Sequence, residues 1–206
     1  MSPVTHFFAG WLVAGGTSLS RREKALIVGA GLAPDLDGLG AIPEFLTRNS
    51  AHPLPWFSLY HHSLHSLAFA LACATMAWLF SGAANFTFGP KILGRPLPAH
   101  PWTTSILAFF SFHLHLLCDL VGSRGPDGYQ WPIPYLAPFS NTVRLNWQGQ
   151  WALNAWPNFV ITILLLLATF WLAKRYRSSP LELVSEKANS AFIAALRART
   201  GWKQIK

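Results

Sequence analysis

Five apolar segments follow one another along the chain, and charged or polar residues separate them. The clearest is 156–173, WPNFVITILLLLATFWLA, which carries no charge and is followed at once by Lys174 and Arg175. About 20 apolar residues are needed to cross a bilayer, and basic flanks are typical of the cytoplasmic side. Segments 66–80 and 102–121 come close to the same standard. The pattern therefore predicts transmembrane helices.

The first third of the chain holds two shorter, glycine-rich apolar runs, 4–18 and 25–33, with charged residues between them. We expect a tight helical hairpin here. Together the five segments predict an all-α, multi-pass transmembrane bundle of about five helices within residues 1–179. In residues 180–206, apolar side chains recur near helical spacing with charges between them. This pattern predicts an amphipathic helix that forms a cytoplasmic tail.

Composition and charge favour the same class and set an orientation. The 206 residues are 51% hydrophobic and only 12% charged, against about 25% charged in ordinary soluble proteins. If the five segments cross in turn, one side holds 13 of the 16 Lys and Arg residues, and the other holds Arg48, Arg124 and Arg144. The positive-inside rule then puts the amino terminus outside and the tail inside a plasma (inner) membrane. This bias explains the net charge of +8, so nucleic-acid binding is not expected.

Histidine and aspartate residues lie beside these apolar segments, although the chain has only eight histidines and eight acidic residues. In the predicted topology they all fall toward the outer face, about 20 Å from the cytoplasmic ends of their helices. Ionisable groups are costly in a membrane and usually mark function. We therefore predict one polar pocket below the outer surface, formed by His6, Asp35, Asp37, His61, His62, His65, His115 and Asp119; His113 shares little of the face of His115 and is expected only in a supporting position.

Two motifs in this set have a spacing that suits a metal ion. His115 and Asp119 are four residues apart on a helix, so they share a face and can hold one cation. A structural hydrogen-bonded pair is the alternative. Asp35 and Asp37, in GLAPDLDG, follow an apolar run and a proline, which suits a helix end that presents both acids. An ordinary surface turn would also explain that segment.

The histidine-rich segment YHHSLHS offers further ligands. His61 and His65 are one helical turn apart and can bind together, while His62 points elsewhere, as another ligand, a supporting partner or a proton donor. A histidine-rich interface is the alternative. His6 alone is either a ligand or an interfacial side chain. Imidazole and carboxylate ligands without thiolates suit a divalent metal, with zinc preferred and manganese or iron as alternatives. The predicted ligands are His6, Asp35, Asp37, His61, His65, His115 and Asp119.

The motifs THFFAGW, APDLDG, HHSLHSL and HLLCDLVGSRGPDGYQWP resemble, in order and spacing, the YdjM-like family of membrane-bound metal-dependent hydrolases, over residues 1 to about 140. That family is more distantly similar to the zinc-dependent phospholipase C and P1 nuclease group, which hydrolyses phosphate esters at a multi-metal cluster. The resemblance implies a matching site in this chain. Many relatives have an insert between the histidines of the third motif, whereas the spacing here is compact, so the ligand there is either His61 or His62. The implied residues are His6, Asp35, Asp37, His61 or His62 with His65 and Ser66, and His115 with Asp119.

The resulting hypothesis is a membrane-embedded hydrolase that uses a metal-activated water, with Asp35, Asp37 and His62 as catalytic groups. The substrate would be a phosphate ester of a lipid or lipid-linked molecule, reached from the extracytoplasmic side. The aromatic loop 122–151 is either an interfacial anchor or a substrate groove. Its predicted substrate-binding residues are Arg124, Trp131 and Arg144. Two other classes stay open, a metal or proton transporter and a non-catalytic membrane protein that a metal staples together.

Overall fold

The protein is an all-helical membrane bundle, apart from one pair of two-residue strands. A computed structural model describes residues 1–57, 62–83, 91–92, 95–96, 99–125 and 128–200. The two short strands, Lys91–Ile92 and Arg95–Pro96, pair antiparallel. Ala33–Gly40 and Pro180–Leu183 are 3₁₀ helices. The α-helices are α1 Pro3–Ala14, α2 Arg21–Leu32, α3 Ala41–Thr47, α4 Leu67–Ala83, α5 Pro101–Gly122, α6 Trp156–Tyr176 and α7 Glu186–Thr200.

Three of the described helical stretches are long and apolar enough to cross a membrane: Arg21–Thr47, Pro101–Gly122 and Trp156–Tyr176. The first joins α2, the 3₁₀ helix and α3 into one continuous stretch. Helices α1 and α4 have 12 and 17 residues, which gives about 18 and 25 Å at the usual helical rise. Both are shorter than a hydrocarbon core of about 30 Å. A membrane bundle is confirmed, whereas five full crossings stay a prediction.

Local capping explains where the first helices begin. The Ser2 hydroxyl accepts a hydrogen bond from the Thr5 amide, and Pro3 stands at the first helical position. Helix α2 begins with a capping box, in which Ser20 and Glu23 satisfy each other's backbone amides. Such caps satisfy amide groups that lack a partner within the helix. The two helices therefore form the hairpin that the sequence predicts.

Helix α5 is the central element, because α1, α2 and α4 all pack against it. The core around it includes the fully buried side chains of Trp11, Ile27 and Ala108. Small residues allow the closest approach between helices, as is common in membrane proteins. A Cβ atom built on Gly31 of α2 would lie 2.5 Å from Ser111 Oγ of α5. The backbone of α2 therefore lies directly against α5, next to the predicted metal ligands.

A network of polar residues joins several helices at the end opposite those ligands. Glu23 Oε1 accepts hydrogen bonds from Ser81 Oγ at the end of α4 and from the His100 amide just before α5. Lys24 Nζ binds Glu182 Oε1 at 3.0 Å, beyond the end of α6. The segments that the charge rule assigns to the cytoplasm therefore meet at one end of the bundle. The side of the membrane on which this end lies stays a prediction.

The segment that follows α6 packs back onto the bundle. Besides the pair of Lys24 with Glu182, the ring of Phe192 in α7 lies 6.0 Å from that of Phe170 in α6. Ile193 is buried. The last turn of α7 carries two basic residues, Arg197 and Arg199. This arrangement suits the predicted amphipathic tail, and its cytoplasmic location stays a prediction.

The long loop between α5 and α6 folds over the other end of the bundle. Ile133 pairs with Leu145 across the loop and is buried against Phe112 of α5. The Leu67 amide at the start of α4 donates a hydrogen bond to the Tyr135 carbonyl oxygen at 2.8 Å. The loop is therefore attached to both α4 and α5, and it covers the end of the bundle that carries the histidines.

Close packing of α2 on α5 can be tested with Gly31→Ala. We expect this variant to lose about 1–3 kcal/mol of stability, because its Cβ would overlap Ser111 Oγ. The melting temperature of the detergent-purified protein measures the loss. Adding Ser111→Ala should restore much of it, because the overlapping oxygen is then gone.

Gly29→Ala is the matched control in the same helix, since a Cβ there meets nothing within 4 Å. It should leave the melting temperature unchanged or raise it slightly. Equal losses in Gly31→Ala and Gly29→Ala would contradict the packing.

Candidate metal centre

The centre is formed around two residues of α5 that share a helix face. His115 Nε2 lies 3.1 Å from Asp119 Oδ2, and both side chains are buried. His115 Nδ1 lies 2.8 Å from the Gly31 carbonyl oxygen, which can only accept a hydrogen bond. The proton therefore sits on Nδ1, which leaves the lone pair of Nε2 directed at the cluster. Backbone carbonyls commonly orient metal-binding histidines in this way.

Two further residues reach the same point from α1 and from the 3₁₀ helix. The ring of His6 stacks on that of His115 with centroids 3.7 Å apart, and its Nε2 lies 3.1 Å from Asp119 Oδ1. Asp35 Oδ1 lies 3.9 Å from His115 Nε2. One ligand atom from each of His6, Asp35, His115 and Asp119 falls within 4.8 Å of all the others. This group can hold a metal ion.

Buried polar atoms around this point fit a cation. Asp35 Oδ2 and His6 Nδ1 have no hydrogen-bond partner among the described residues. Such atoms each cost about 1–3 kcal/mol, which coordination would offset. The nitrogen of Met1 also contacts Asp119 Oδ1 and lies 2.8 Å from Ser123 Oγ. Two imidazoles with two carboxylates are a ligand set that suits zinc and related divalent ions.

His65, just before α4, adds a third imidazole. Its Nε2 lies 3.3 Å from Asp119 Oδ2 and 3.2 Å from His115 Nε2. On the other side of the ring, Nδ1 lies 3.2 Å from Asp37 Oδ2, which also accepts a hydrogen bond from the Leu64 amide. Burial by itself would lower the pKa of His65, but its contacts with Asp119 and Asp37 raise that pKa to about 9, so a metal ion would bind this ring in exchange for a proton. Asp37 thus lies on the side of the His65 ring that faces away from Asp119. A carboxylate in this position orients the imidazole of a metal-binding histidine.

His62 lies between the cluster and a neighbouring cavity. Its ring packs edge-on against His65 at 4.5 Å and against Trp131 at 5.1 Å. Its backbone is left-handed, with φ of 75°, a conformation uncommon outside glycine that concentrates at functional sites. His61 lies outside the described residues, so the choice between His61 and His62 as a ligand stays open. His113 turns away and binds the Phe109 carbonyl oxygen and the Tyr135 hydroxyl.

A cavity of about 600 Å³ adjoins His62 under the long loop. Trp131 and Arg144, two of the three predicted substrate-binding residues, line it. Arg124 is described but is not among the lining residues; its main chain pairs with Trp151 and Leu153 within the loop. The roles of all three residues stay predictions.

Sequence reasoning missed two residues that hold Asp119 in place. Ser123 Oγ donates a hydrogen bond to Asp119 Oδ1 at 2.8 Å. Its position four residues after Asp119 was a usable signal, because residues 115, 119 and 123 share one helix face. Gln150 Nε2 donates to the Asp119 carbonyl oxygen, and Gln150 Oε1 accepts from the Trp131 amide. Gln150 comes from a distant part of the loop, so the sequence offered no comparable signal.

These features define a polytopic helical membrane protein with a buried cluster of histidines and aspartates at one end of its central helix. A family model described as YdjM inner membrane protein matches residues 1–198, and the chain belongs to this family. The match confirms the YdjM family that the motifs indicate and extends it to residue 198, whereas the metal-dependent hydrolase character and the likeness to P1 nuclease stay predictions. The family description places its members in the inner membrane. No curated protein and no solved structure matches the chain.

Metal binding can be measured by equilibrium dialysis of the purified protein against zinc, followed by elemental analysis. We expect at least about one zinc ion per chain. Asp119→Asn should weaken binding by about 100-fold or more, because it removes the charge that the three imidazoles surround. His113→Phe is the control on the same helix and should bind zinc normally. Equal binding by both variants would contradict the assignment.

The orienting role of Asp37 predicts an intermediate effect. Asp37→Asn should weaken zinc binding by about 10–100-fold, since it loses the charge behind His65 but leaves the cluster intact. The same dialysis series measures it. A loss as large as that of Asp119→Asn would instead make Asp37 a direct ligand.

Proposed function

We propose that the protein is a metal-dependent hydrolase that cleaves a phosphate ester of a lipid or lipid-linked molecule. The observation that carries the proposal is the convergence of His6, Asp35, His115 and Asp119 within 4.8 Å, close to a cavity large enough for a substrate head. In the proposed orientation this end of the bundle faces the extracytoplasmic side of the inner membrane.

The metal would be held by imidazole and carboxylate groups that approach from separate helices. His6, His65 and His115 supply nitrogen and Asp119 supplies oxygen, whereas Asp35, the remaining member of the convergent group, lies beside the ion without binding it. Zinc is the proposed ion because it prefers nitrogen and oxygen ligands of this kind, with manganese or iron as alternatives. When bound, such an ion lowers the pKa of water to about 7 and polarises a phosphoryl oxygen.

Asp35 is the proposed general base. Its Oδ1 faces His115, while its Oδ2 has no hydrogen-bond partner among the described residues. The side chain is about 25% exposed, in contrast to the buried Asp119. A carboxylate that lies near the cluster and is not fully hydrogen-bonded can accept a proton from a water bound there. Asp37 would act by orienting His65.

The cavity suggests how a phosphate ester is placed. His62 lies at the boundary between the cavity and the cluster, where its ring could donate a proton to the departing alcohol. Arg144 lines the same cavity and can pair with phosphate oxygens through its planar guanidinium group. The geometry therefore supports phosphate esters over neutral esters as substrates.

The proposal predicts that Asp35→Asn retains zinc but loses activity. We expect turnover of p-nitrophenyl phosphate esters to fall by about 100-fold or more, because a general base contributes roughly that much. Absorbance of released p-nitrophenol and elemental analysis of the same sample provide the two readouts. His113→Phe should keep both zinc and activity.

Three results would overturn the proposal. Metal flux into proteoliposomes without ester cleavage would make the protein a transporter. Unfolding on chelation, with no cleavage by the zinc-loaded protein, would make the metal purely structural. Full activity in Asp35→Asn would remove the proposed base.

A further inference from the structure

Two cavities lie on either side of the short turn that carries His62, Ser63 and Leu64, and Ser63 lines both. The first is the cavity of about 600 Å³ under the loop, hereafter the head cavity. The second has a volume of about 400 Å³ and lies against the 3₁₀ helix and α3, hereafter the chain groove. Its apolar lining is formed by Leu36, Leu39, Pro43, Trp56 and Leu64.

Each space has a lining residue that contacts His65 of the candidate metal centre. Asp37 lines the chain groove, and its Oδ2 lies 3.2 Å from His65 Nδ1. His62 lines the head cavity, and its ring lies 4.5 Å from that of His65. The turn therefore separates two compartments, and each has a lining residue in contact with the His65 ring.

The head cavity has the polar and charged chemistry of an anion site. Arg144, Asn141, Tyr129 and His62 are among its lining residues, and none of its described lining residues is acidic. An arginine with no carboxylate beside it in the cavity favours a phosphate group there.

The chain groove has the opposite character and reaches the surface. Its walls include Leu36 and Leu39, which are 55% and 58% exposed, and Trp56, which is 50% exposed. Next to them, α3 exposes Ile42, Phe45 and Leu46. In a membrane protein, a surface of this composition faces lipid chains. A hydrocarbon chain can therefore enter the groove from the bilayer without crossing water.

We infer that the protein binds a single amphiphile across the turn, with its anionic phosphate head in the head cavity and its hydrocarbon chain in the chain groove. The inference rests on the proposed function for the identity of the head group. It adds that substrate selection depends on a chain of the lipid, held by residues of the 3₁₀ helix and α3.

Photo-crosslinking tests the position of the chain without requiring turnover. The probe is dodecyl phosphate with a diazirine near the chain end, added to the zinc-loaded protein in nanodiscs and mapped by mass spectrometry. We expect adducts in residues 36–43, at Trp56 or at Leu64, and competition by unlabelled dodecyl phosphate. Adducts confined to the lipid-facing side of α6 would overturn the inference.

Binding of the same probe tests the two compartments separately. Leu39→Ala should weaken dodecyl phosphate binding by about fivefold and leave butyl phosphate binding unchanged, because only the longer chain fills the groove. The matched control is Leu167→Ala, since Leu167 is also 58% exposed but lies on α6. Arg144→Gln should weaken the binding of both phosphates, because Arg144 lines the head cavity that holds the anionic group of each.

The two proposals fail in different ways. Groove adducts without any ester cleavage would leave the inference standing and remove the hydrolase. Cleavage of butyl and dodecyl esters with equal KM in wild-type and Leu39→Ala protein would keep the hydrolase and overturn the inference.

Discussion

The carboxylate of Asp119 organises one end of this molecule. It is buried in an apolar bundle, where an isolated negative charge would be very costly. Imidazoles from three separate segments surround it, those of His6, His65 and His115. The packing of α1, α5 and the turn before α4 therefore depends on how the negative charge of Asp119 is compensated. A bound cation would complete that balance, which links folding at this end to metal binding.

The rest of the bundle supports that group from both ends. At the far end, Glu23 and Lys24 join the start of α2 to the neighbouring helices and to the segment after α6. Near the site, Gly31 lets the backbone of α2 approach α5 closely enough for its carbonyl oxygen to bind His115. In the loop between α5 and α6, the Gln150 side chain donates a hydrogen bond to the main-chain carbonyl oxygen of Asp119. Helices held at both ends can keep ligand atoms at fixed separations.

Much of this arrangement followed from the sequence, because apolar length and helical spacing are local properties. They predicted the membrane bundle, the hairpin and the shared face of His115 with Asp119. They did not predict the 3₁₀ helix that contains both Asp35 and Asp37. Those two acids look equivalent in APDLDG, yet one faces the cluster and the other lies behind His65. Such differences depend on how distant segments pack, which local spacing does not encode.

If the side chains of this centre share one cation, anomalous diffraction at the zinc edge from crystals of the zinc-loaded protein will locate it. We expect a peak about 2.0–2.2 Å from His115 Nε2 and from a carboxylate oxygen of Asp119. A peak bound only by surface histidines such as His52, or no peak in the presence of zinc, would contradict this expectation.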